Sequence, residues 1–297
     1  MSEEKKCGYV SIIGRPNVGK STLLNHILGQ KISITSRKPQ TTREQILGIK
    51  TVEDVQTIYV DTPGLNRKAK SALNKFMNKT ASSTINGVDV IVFVVDVSDD
   101  DPEDEWVLNK LSTVTVPIIL VLNKVDRIKD KKALLPLLEM WSKRGNFAAV
   151  VPVSAKTTDN LENLEKTIAS YLPVAEHQFG SDEITNRSER FLASEIVREK
   201  IMRLTGQELP YAVAIEIEEY AETEKLIRIG CLILVEKPNQ KIILIGKDGE
   251  RLKEIGTQAR LDLQRMFDKK VFLGLWVKVR QGWSDDERAL KSLGYQD

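Results

Sequence analysis

Gly14-Arg15-Pro16-Asn17-Val18-Gly19-Lys20-Ser21 follows an apolar run, Tyr9–Gly14, and opens a helical pattern, Lys20–Leu28. Strand, glycine-rich turn and helix in that order make a complete G-x-x-x-x-G-K-[ST] loop in its proper context. Phosphate oxygens need many donors in little space. Glycines let the backbone curl so that successive N–H groups point inward, and the helix N-terminus adds its positive end. Lys20 can reach β- and γ-phosphates, and the Ser21 hydroxyl suits Mg²⁺. The stretch from Gly14 through Arg15, Pro16, Asn17, Val18 and Gly19 to Thr22 is therefore the expected phosphate cradle.

Outward from this loop, apolar β-rich runs alternate with helical patterns. The runs are Tyr9–Gly14, Glu44–Thr51, Gln56–Thr62, Val88–Val97, Pro117–Lys124 and Ala149–Ala155; the helices are Lys20–Leu28, Ala72–Ile85, Glu103–Leu111, Lys131–Trp141 and Leu161–Leu172. Near-continuous Val/Ile runs suit strands buried on both faces. The alternation predicts an α/β domain over residues 1–172, a doubly wound and mostly parallel sheet flanked by helices. The link between Glu44–Thr51 and Gln56–Thr62 is too short for a crossover helix, so that pair is expected as an antiparallel hairpin. Pro173 to Asn186 breaks the pattern with Pro, Gly and polar residues, and 173–186 reads as a linker. Beyond it, an amphipathic stripe at Ala193, Val197, Ile201 and Leu204, strands Tyr211–Tyr220 and Leu226–Lys237, a stripe at Leu252, Ile255, Ala259, Leu263 and Met266, and a strand Val271–Arg280 predict an α+β domain over 187–297. Lys241–Ile245 can end a strand or begin a helix.

The chain of 297 residues is long enough for two domains, and 41% hydrophobic with 29% charged residues is ordinary for a globular protein with a real core. Its longest uncharged apolar run, Val90–Val95, falls far short of the ~20 residues that span a bilayer. The mixed charges of Met1–Lys6 and the early Arg15 and Pro16 argue against a secretory signal. Two cysteines, Cys7 and Cys231, exclude a disulfide framework and read as free thiols in a reducing cytosol; two histidines exclude a histidine-rich metal site. Net charge is only +2, yet Lys237–Arg280 holds eleven Lys or Arg against five Asp or Glu, which suits a polyanion partner.

Asn123-Lys124-Val125-Asp126 ends the Pro117–Leu122 strand, the edge where open parallel sheets bind ligands. A carboxylate at Asp126 can accept from guanine N1–H and the 2-amino group, and adenine offers neither donor. The Lys124 stem can pack on the base while Asn123 ties neighbouring loops. Ser154-Ala155-Lys156 ends the next strand and can offer a backbone N–H to guanine O6. Asp61-Thr62-Pro63-Gly64 ends another: Asp61 can hold the metal through a water, and the Gly64 N–H can bond the γ-phosphate. Lys31–Arg43 carries four basic residues, no acid, and Gln40-Thr41-Thr42-Arg43, one of whose threonines can coordinate Mg²⁺ when a γ-phosphate draws the loop in. Ser21, Thr42 and Asp61 are the expected metal set; Lys20, Thr42 and Gly64 are the candidate catalytic groups. The acidic run Asp99–Glu105 is explained as a helix N-terminus with Pro102 at its first position, rather than as a metal site. Trp276 and Trp283 read as core or interface residues in preference to stacking platforms.

In the second domain, Gly246-Lys247-Asp248-Gly249 lies between the apolar run Ile242–Ile245 and a helical stripe. A G-x-x-G loop in a KH module clamps single-stranded RNA by its backbone. Gly246, Lys247, Gly249, Arg251 and Lys253 are the expected RNA contacts. Asp-Gly also favours a hairpin turn, but the helical spacing after it argues otherwise, and Asp248 is an acid beside expected phosphates.

Taken together, the five nucleotide-type segments resemble a Ras-like GTPase domain. The string Gly14–Leu23 with Gln40-Thr41-Thr42-Arg43 narrows the resemblance to the TrmE–Era–EngA family. It implies GTP/GDP and Mg²⁺ as cofactors, Thr42 as the switch threonine, and Asn17 beside an activating potassium ion. Leu65 stands where Ras-like proteins carry a water-orienting glutamine, so slow hydrolysis is expected, with a GTP-gated binder of negligible hydrolysis as the rival reading. One such domain, a type II KH domain, the stretches Arg190–Ile196 and Glu208–Tyr211, and the closing Gly282–Tyr295 resemble the Era-type GTPases along essentially the whole chain. That resemblance implies binding near the 3′ end of 16S ribosomal RNA and a role in assembling the small (30S) ribosomal subunit. It further implies a cytoplasmic protein in loose contact with the inner membrane, expected here as a monomer.

Overall fold

The computed structural model describes residues 4–36, 41–65, 72–84, 87–206, 209 and 213–293. The chain divides into two compact units: Met1–Ser33 with Thr42–Ala69 and Met77–Asn186, and Ile34–Thr41 with Lys70–Phe76 and Arg187–Asp297.

The first unit is built on strands β1 (Lys6–Ile13), β2 (Ile46–Val52), β3 (Val55–Asp61), β4 (Val90–Asp96), β5 (Ile118–Asn123) and β6 (Ala149–Pro152), in the order β2-β3-β1-β4-β5-β6. Helices α1 (Lys20–Leu28), α2 (Ala72–Ser83, of which Met77 onward belongs to this unit), α3 (Pro102–Leu111), α4 (Leu134–Ser142) and α5 (Leu161–Tyr171) alternate with them. Every residue of β4 and β5 is buried, which is why those strands read as unbroken apolar runs. All pairings are parallel except β2–β3, whose register sets Ile46 opposite Asp61, as the short link requires. β1 and β4 are neighbours, and the connection leaving β1 runs toward the β2 edge while the one leaving β4 runs toward β5, so the two diverge. A crevice opens at the carboxyl end of β1, and the glycine-rich loop occupies that position.

Residues 173–186, expected as a linker, run along the first unit instead. Cys7 N–H donates to Pro173 O at 3.2 Å and Ala175 N–H to Lys5 O at 3.0 Å. The Gln56 side chain clamps the next turn: its Oε1 accepts from Gln178 N–H (2.8 Å) and Phe179 N–H (3.0 Å), and its Nε2 donates to Phe179 O (2.9 Å). Farther on, Ile49 N–H of β2 donates to Ile184 O at 2.7 Å. Composition marked these residues as irregular, but their backbone groups find partners on the sheet.

In the second unit, α6 (Glu189–Leu204), β7 (Val213–Glu222), β8 (Leu226–Val235), α7 (Pro238–Ile245), α8 (Glu250–Phe267), β9 (Lys270–Val279) and α9 (Glu287–Ser292) follow in order. The sheet order is β7-β8-β9, with β7–β8 antiparallel and β8–β9 parallel. Inward residues of all three strands form one core with α6, α7 and α8. Lys241–Ile245 is helical: Pro238 takes the first position, and Gln240 Oε1 reaches back to the Lys237 N–H at 2.9 Å.

Helix α6 departs from its amphipathic expectation. Opposite the apolar stripe, Arg198, Glu199 and Lys200 are also buried. Glu199 Oε1 accepts from the Thr35 N–H at 2.9 Å and pairs with Arg203 at 3.0 Å, Lys200 pairs with Asp262, and Arg198 donates to the Thr41 carbonyl. The segment Ile34–Thr41 thus clusters with this unit, and the charged side of α6 is a packed face. Trp283 is buried as expected. Trp276 lies outside the core: it stands 41% exposed on the sheet's outer face, because the two-residue strand period places it opposite the core positions Leu275 and Val277.

Candidate nucleotide site and glycine loop

The glycine-rich loop leaves β1 with no room for side chains. A Cβ on Gly14 would lie 2.4 Å from the Val94 carbonyl oxygen, and one on Gly19 would lie 2.3 Å from Asn123 Nδ2. Gly19 also has φ +107°, so both conformation and close approach require glycine. Lys20 opens α1 and turns back over the loop, donating to Gly14 O (3.0 Å) and Arg15 O (2.9 Å). Burial depresses its ammonium to a pKa of about 8, with Asp61 pulling the other way.

Four oxygen-bearing side chains, Ser21, Ser33, Thr42 and Asp61, converge beside it. Ser21 Oγ is 3.0 Å from Thr42 Oγ1 and 3.0 Å from Asp61 Oδ2. Ser33 Oγ donates to the same Asp61 oxygen at 2.7 Å. Asp61 is buried and its Oδ1 has no hydrogen-bond partner among the described residues. Burial pushes its carboxyl above the usual range despite these hydroxyls. An orphaned buried carboxylate oxygen among hydroxyls is a hard oxygen donor set of the kind that Mg²⁺ takes.

The neighbouring loops are fastened to one another through Asn123. Its Nδ2 donates to Val18 O (2.7 Å), and its Oδ1 accepts from the Lys124 N–H (2.7 Å) and the Ala155 N–H (2.9 Å). Asp126 is exposed, with Oδ1 accepting from Ser154 Oγ at 2.7 Å. Lys124 Nζ donates to Asn17 O at 2.7 Å and to Asp96. Burial works against the charge on Asp96, but Lys124 and Ser98 outweigh it and hold its carboxyl below the usual range. Lys156 is exposed at the end of the Ser154–Lys156 segment.

Several expected residues also make structural contacts. Thr62 Oγ1 donates to Ile12 O at 3.1 Å, so its hydroxyl secures β1. Gly64 packs on the loop itself, where a Cβ would meet Pro16 N at 2.9 Å. Leu65 is buried in the core of the unit. The Arg15 side chain turns toward α3, donating to Asp104 (3.0 Å) and Asp99 (2.9 Å); only its main chain faces the site's lysine. The acidic run is a capped helix start, with Asp101 accepting from the Glu103 N–H at 2.9 Å. Among the described residues no group of His, Cys, Asp and Glu could hold a metal there. Gln40 lies outside the described residues. Ser33, Asp96 and the Arg15–Asp104 pair were not foreseen: a lone serine or aspartate carries no sequence signal until its partner is placed.

Gly246-Lys247-Asp248-Gly249 joins α7 to α8. Gly246 and Gly249 have φ +75° and +79°, and a Cβ on Gly246 would meet Arg251 Cβ at 2.8 Å. Lys247, Asp248 and Lys253 are exposed, whereas Arg251 Nη1 donates to Ile243 O at 2.7 Å and caps α7. Helices on both sides exclude the hairpin.

The 50S ribosome-binding GTPase family matches residues 9–124 and the KH domain family residues 208–284. GTPase Era of Pseudomonas fluorescens (strain Pf0-1) is 58% identical over 98% of this chain and 97% of its own length. GTPase Era of Marinobacter nauticus is 57% identical over 99% and 96%. A crystal structure of Era in complex with MgGDPNP and nucleotides 1506–1542 of 16S ribosomal RNA is 41% identical, covering 99% of this chain and 100% of that one with a TM-score of 0.94. An Aquifex aeolicus Era variant bound to GDP·AlF4⁻ matches with the same identity and TM-score over 98% of this chain. With a GTPase family and the KH domain family matched in one chain, and Era relatives more than half identical over 98% or more of it, the protein belongs to the Era family of GTPases.

Proposed function

We propose that this chain is a GTP-hydrolysing switch whose nucleotide state governs its grip on 16S ribosomal RNA near the 3′ end during small-subunit assembly. The observation that carries the reading is the convergence of Ser21, Thr42 and Asp61 beside Lys20, with Asp61 Oδ1 left unpartnered. The Gly14–Thr22 backbone binds the phosphates, Asp126 with the Ser154–Lys156 segment selects guanine, and the Thr62–Gly64 main chain lines the γ-phosphate side. Mg²⁺ held by Ser21, Thr42 and, through water, Asp61 neutralises charge on the phosphates. Lys20, Thr42 and the Gly64 N–H are the catalytic groups. Asn17 is proposed to help seat a potassium ion.

Two relatives' descriptions differ, the GTPase family's naming the large subunit and the Era complex carrying small-subunit RNA. The small subunit is favoured because the Era complex matches both units, while the family covers only the first. Gly246, Lys247, Gly249 and Lys253 are the proposed RNA contacts, with Arg251 holding the loop's shape. A monomer in loose contact with the inner membrane rests on the family resemblance; no described helix is long and apolar enough to cross a membrane.

Leu65 favours a second reading, a GTP-gated RNA binder with negligible hydrolysis, since a buried leucine cannot orient water. Single-turnover hydrolysis with Mg²⁺, with and without potassium, separates the two: the wild type exceeds Lys20→Ala if the enzyme reading holds, and equal background rates leave only the gated binder. Gly246→Asp combined with Gly249→Asp is expected to weaken RNA binding and spare GTP binding.

A further inference from the structure

On β9 the residues alternate strictly. Val271, Leu273, Leu275, Val277 and Val279 enter the core, leaving Lys270, Phe272, Gly274, Trp276 and Lys278 on the opposite face. That face is not an ordinary solvated one. Phe272 is 53% and Trp276 41% exposed. The indole lies down over a floor made by paired glycines: a Cβ on Gly230 would sit 2.8 Å from Trp276 Cη2, and one on Gly274 would sit 3.4 Å from Cζ3. The Arg228 guanidinium stacks over Phe272, 5.0 Å from the ring centroid. Lys270 and Lys278 are exposed and have no ion pair among the described residues. Acids on this face stay on the far strand, where Glu219 reaches Arg228 at 4.0 Å.

We propose that this strip of β8 and β9 is a second track for single-stranded RNA, separate from the Gly246–Gly249 loop. Bases lie on Trp276 and on the Phe272–Arg228 stack, and phosphates meet Lys270 and Lys278. Rings four residues apart on a strand are about 13 Å apart, far beyond the ~3.4 Å step of a stacked helical strand. They therefore fit an extended strand with splayed bases, and stacking of this kind tolerates any sequence. An anionic bilayer would also attract the lysines. The rings, however, lie along the sheet and do not project into acyl chains, and β7 would carry its glutamates toward the lipid headgroups.

The track extends the RNA-binding reading above and is tested apart from it. Full-length protein with a GTP analogue is titrated with labelled single-stranded RNA of about five and about twenty nucleotides, a KH loop covering about four. The longer RNA is expected to bind more tightly. Trp276→Ala with Phe272→Ala should weaken it about tenfold or more while the short one binds as before, and Trp276→Tyr should restore most of the loss. Lys270→Glu with Lys278→Glu should lower the salt dependence for the long RNA by about two counterions. Unchanged binding of the long RNA overturns the proposal, and so does an equal loss at both lengths. Loss of binding to phosphatidylglycerol vesicles with RNA binding intact overturns it in favour of a membrane surface. If Gly246→Asp with Gly249→Asp leaves the short RNA bound, the loop reading fails, and the length-dependent gain still decides the track.

Discussion

The guanidinium of Arg198 donates to the main-chain carbonyl of Thr41, one peptide bond from Thr42, whose hydroxyl lies 3.0 Å from Ser21 Oγ. Arg198 is itself buried and paired with Glu195. Under the proposed function, in which Thr42 responds to a γ-phosphate, the carbonyl of the preceding residue is held by Arg198. Arg198→Met keeps the stem and removes the donor. It is expected to cost about 3 kcal/mol in urea unfolding, because Glu195 keeps its charge without its partner. GTP affinity should change little, while RNA affinity should respond less to exchanging GDP for a GTP analogue.

Among the described residues Asp126 meets only Ser154, through one oxygen, and the other is left for a ligand. Asp126→Asn replaces an acceptor with a donor, so GTP affinity should fall at least about a hundredfold. Xanthosine triphosphate presents a carbonyl where guanine has its amino group and should become the better ligand. Competition binding with both nucleotides checks this; an unchanged preference for GTP would remove Asp126 from base selection.

Leu65 packs in the core beside Val60, Ile13 and Phe93. A glutamine placed there is not expected to orient water, because the side chain at this position is buried in the core. Leu65→Gln should lose about 2–3 kcal/mol of stability through a buried amide and gain nothing in single-turnover rate. A faster variant would contradict this.

Burial lifts the Asp104 carboxyl to a pKa of about 6, against the attraction of Arg15. Below about 6 the folded protein holds a proton that the unfolded chain releases down to its ordinary value of 3.8. This group therefore adds stability as pH falls through 6, the reverse of a carboxylate with a depressed pKa. Asp104→Asn removes this titration, so the Tm of the wild type relative to the variant should rise steadily as pH falls from 6 to 4. Thermal scans of both proteins across that range measure it.

How much of this was legible in the sequence follows from which groups chemistry forces to be contiguous. A phosphate cradle needs consecutive N–H groups, so Gly14–Ser21 announced itself, and Asn123–Asp126 and Asp61–Gly64 did so at strand ends. The antiparallel hairpin followed from a link too short for a crossover helix. Partnerships across the fold left no such trace. Ser33 on Asp61, Arg15 on Asp104 and Gln56 on Phe179 are ordinary polar residues until the chain is folded. The polar side of α6 looked solvated because charge alone does not reveal a buried ionic face. For Trp276, residue type left core and interface open, whereas the strand's two-residue period groups it with Lys270 and Lys278 on the exposed face.

The seam between Ile49 and Ile184 has a practical corollary for anyone excising the first unit. β2 borders the sheet, and residues 173–186 shield part of that border. A fragment stopped at 172 would bare an unsatisfied backbone ribbon, an invitation for copies to join edge to edge. One stopped at 186 keeps its own selvage and should remain dispersed at concentrations where the shorter piece precipitates.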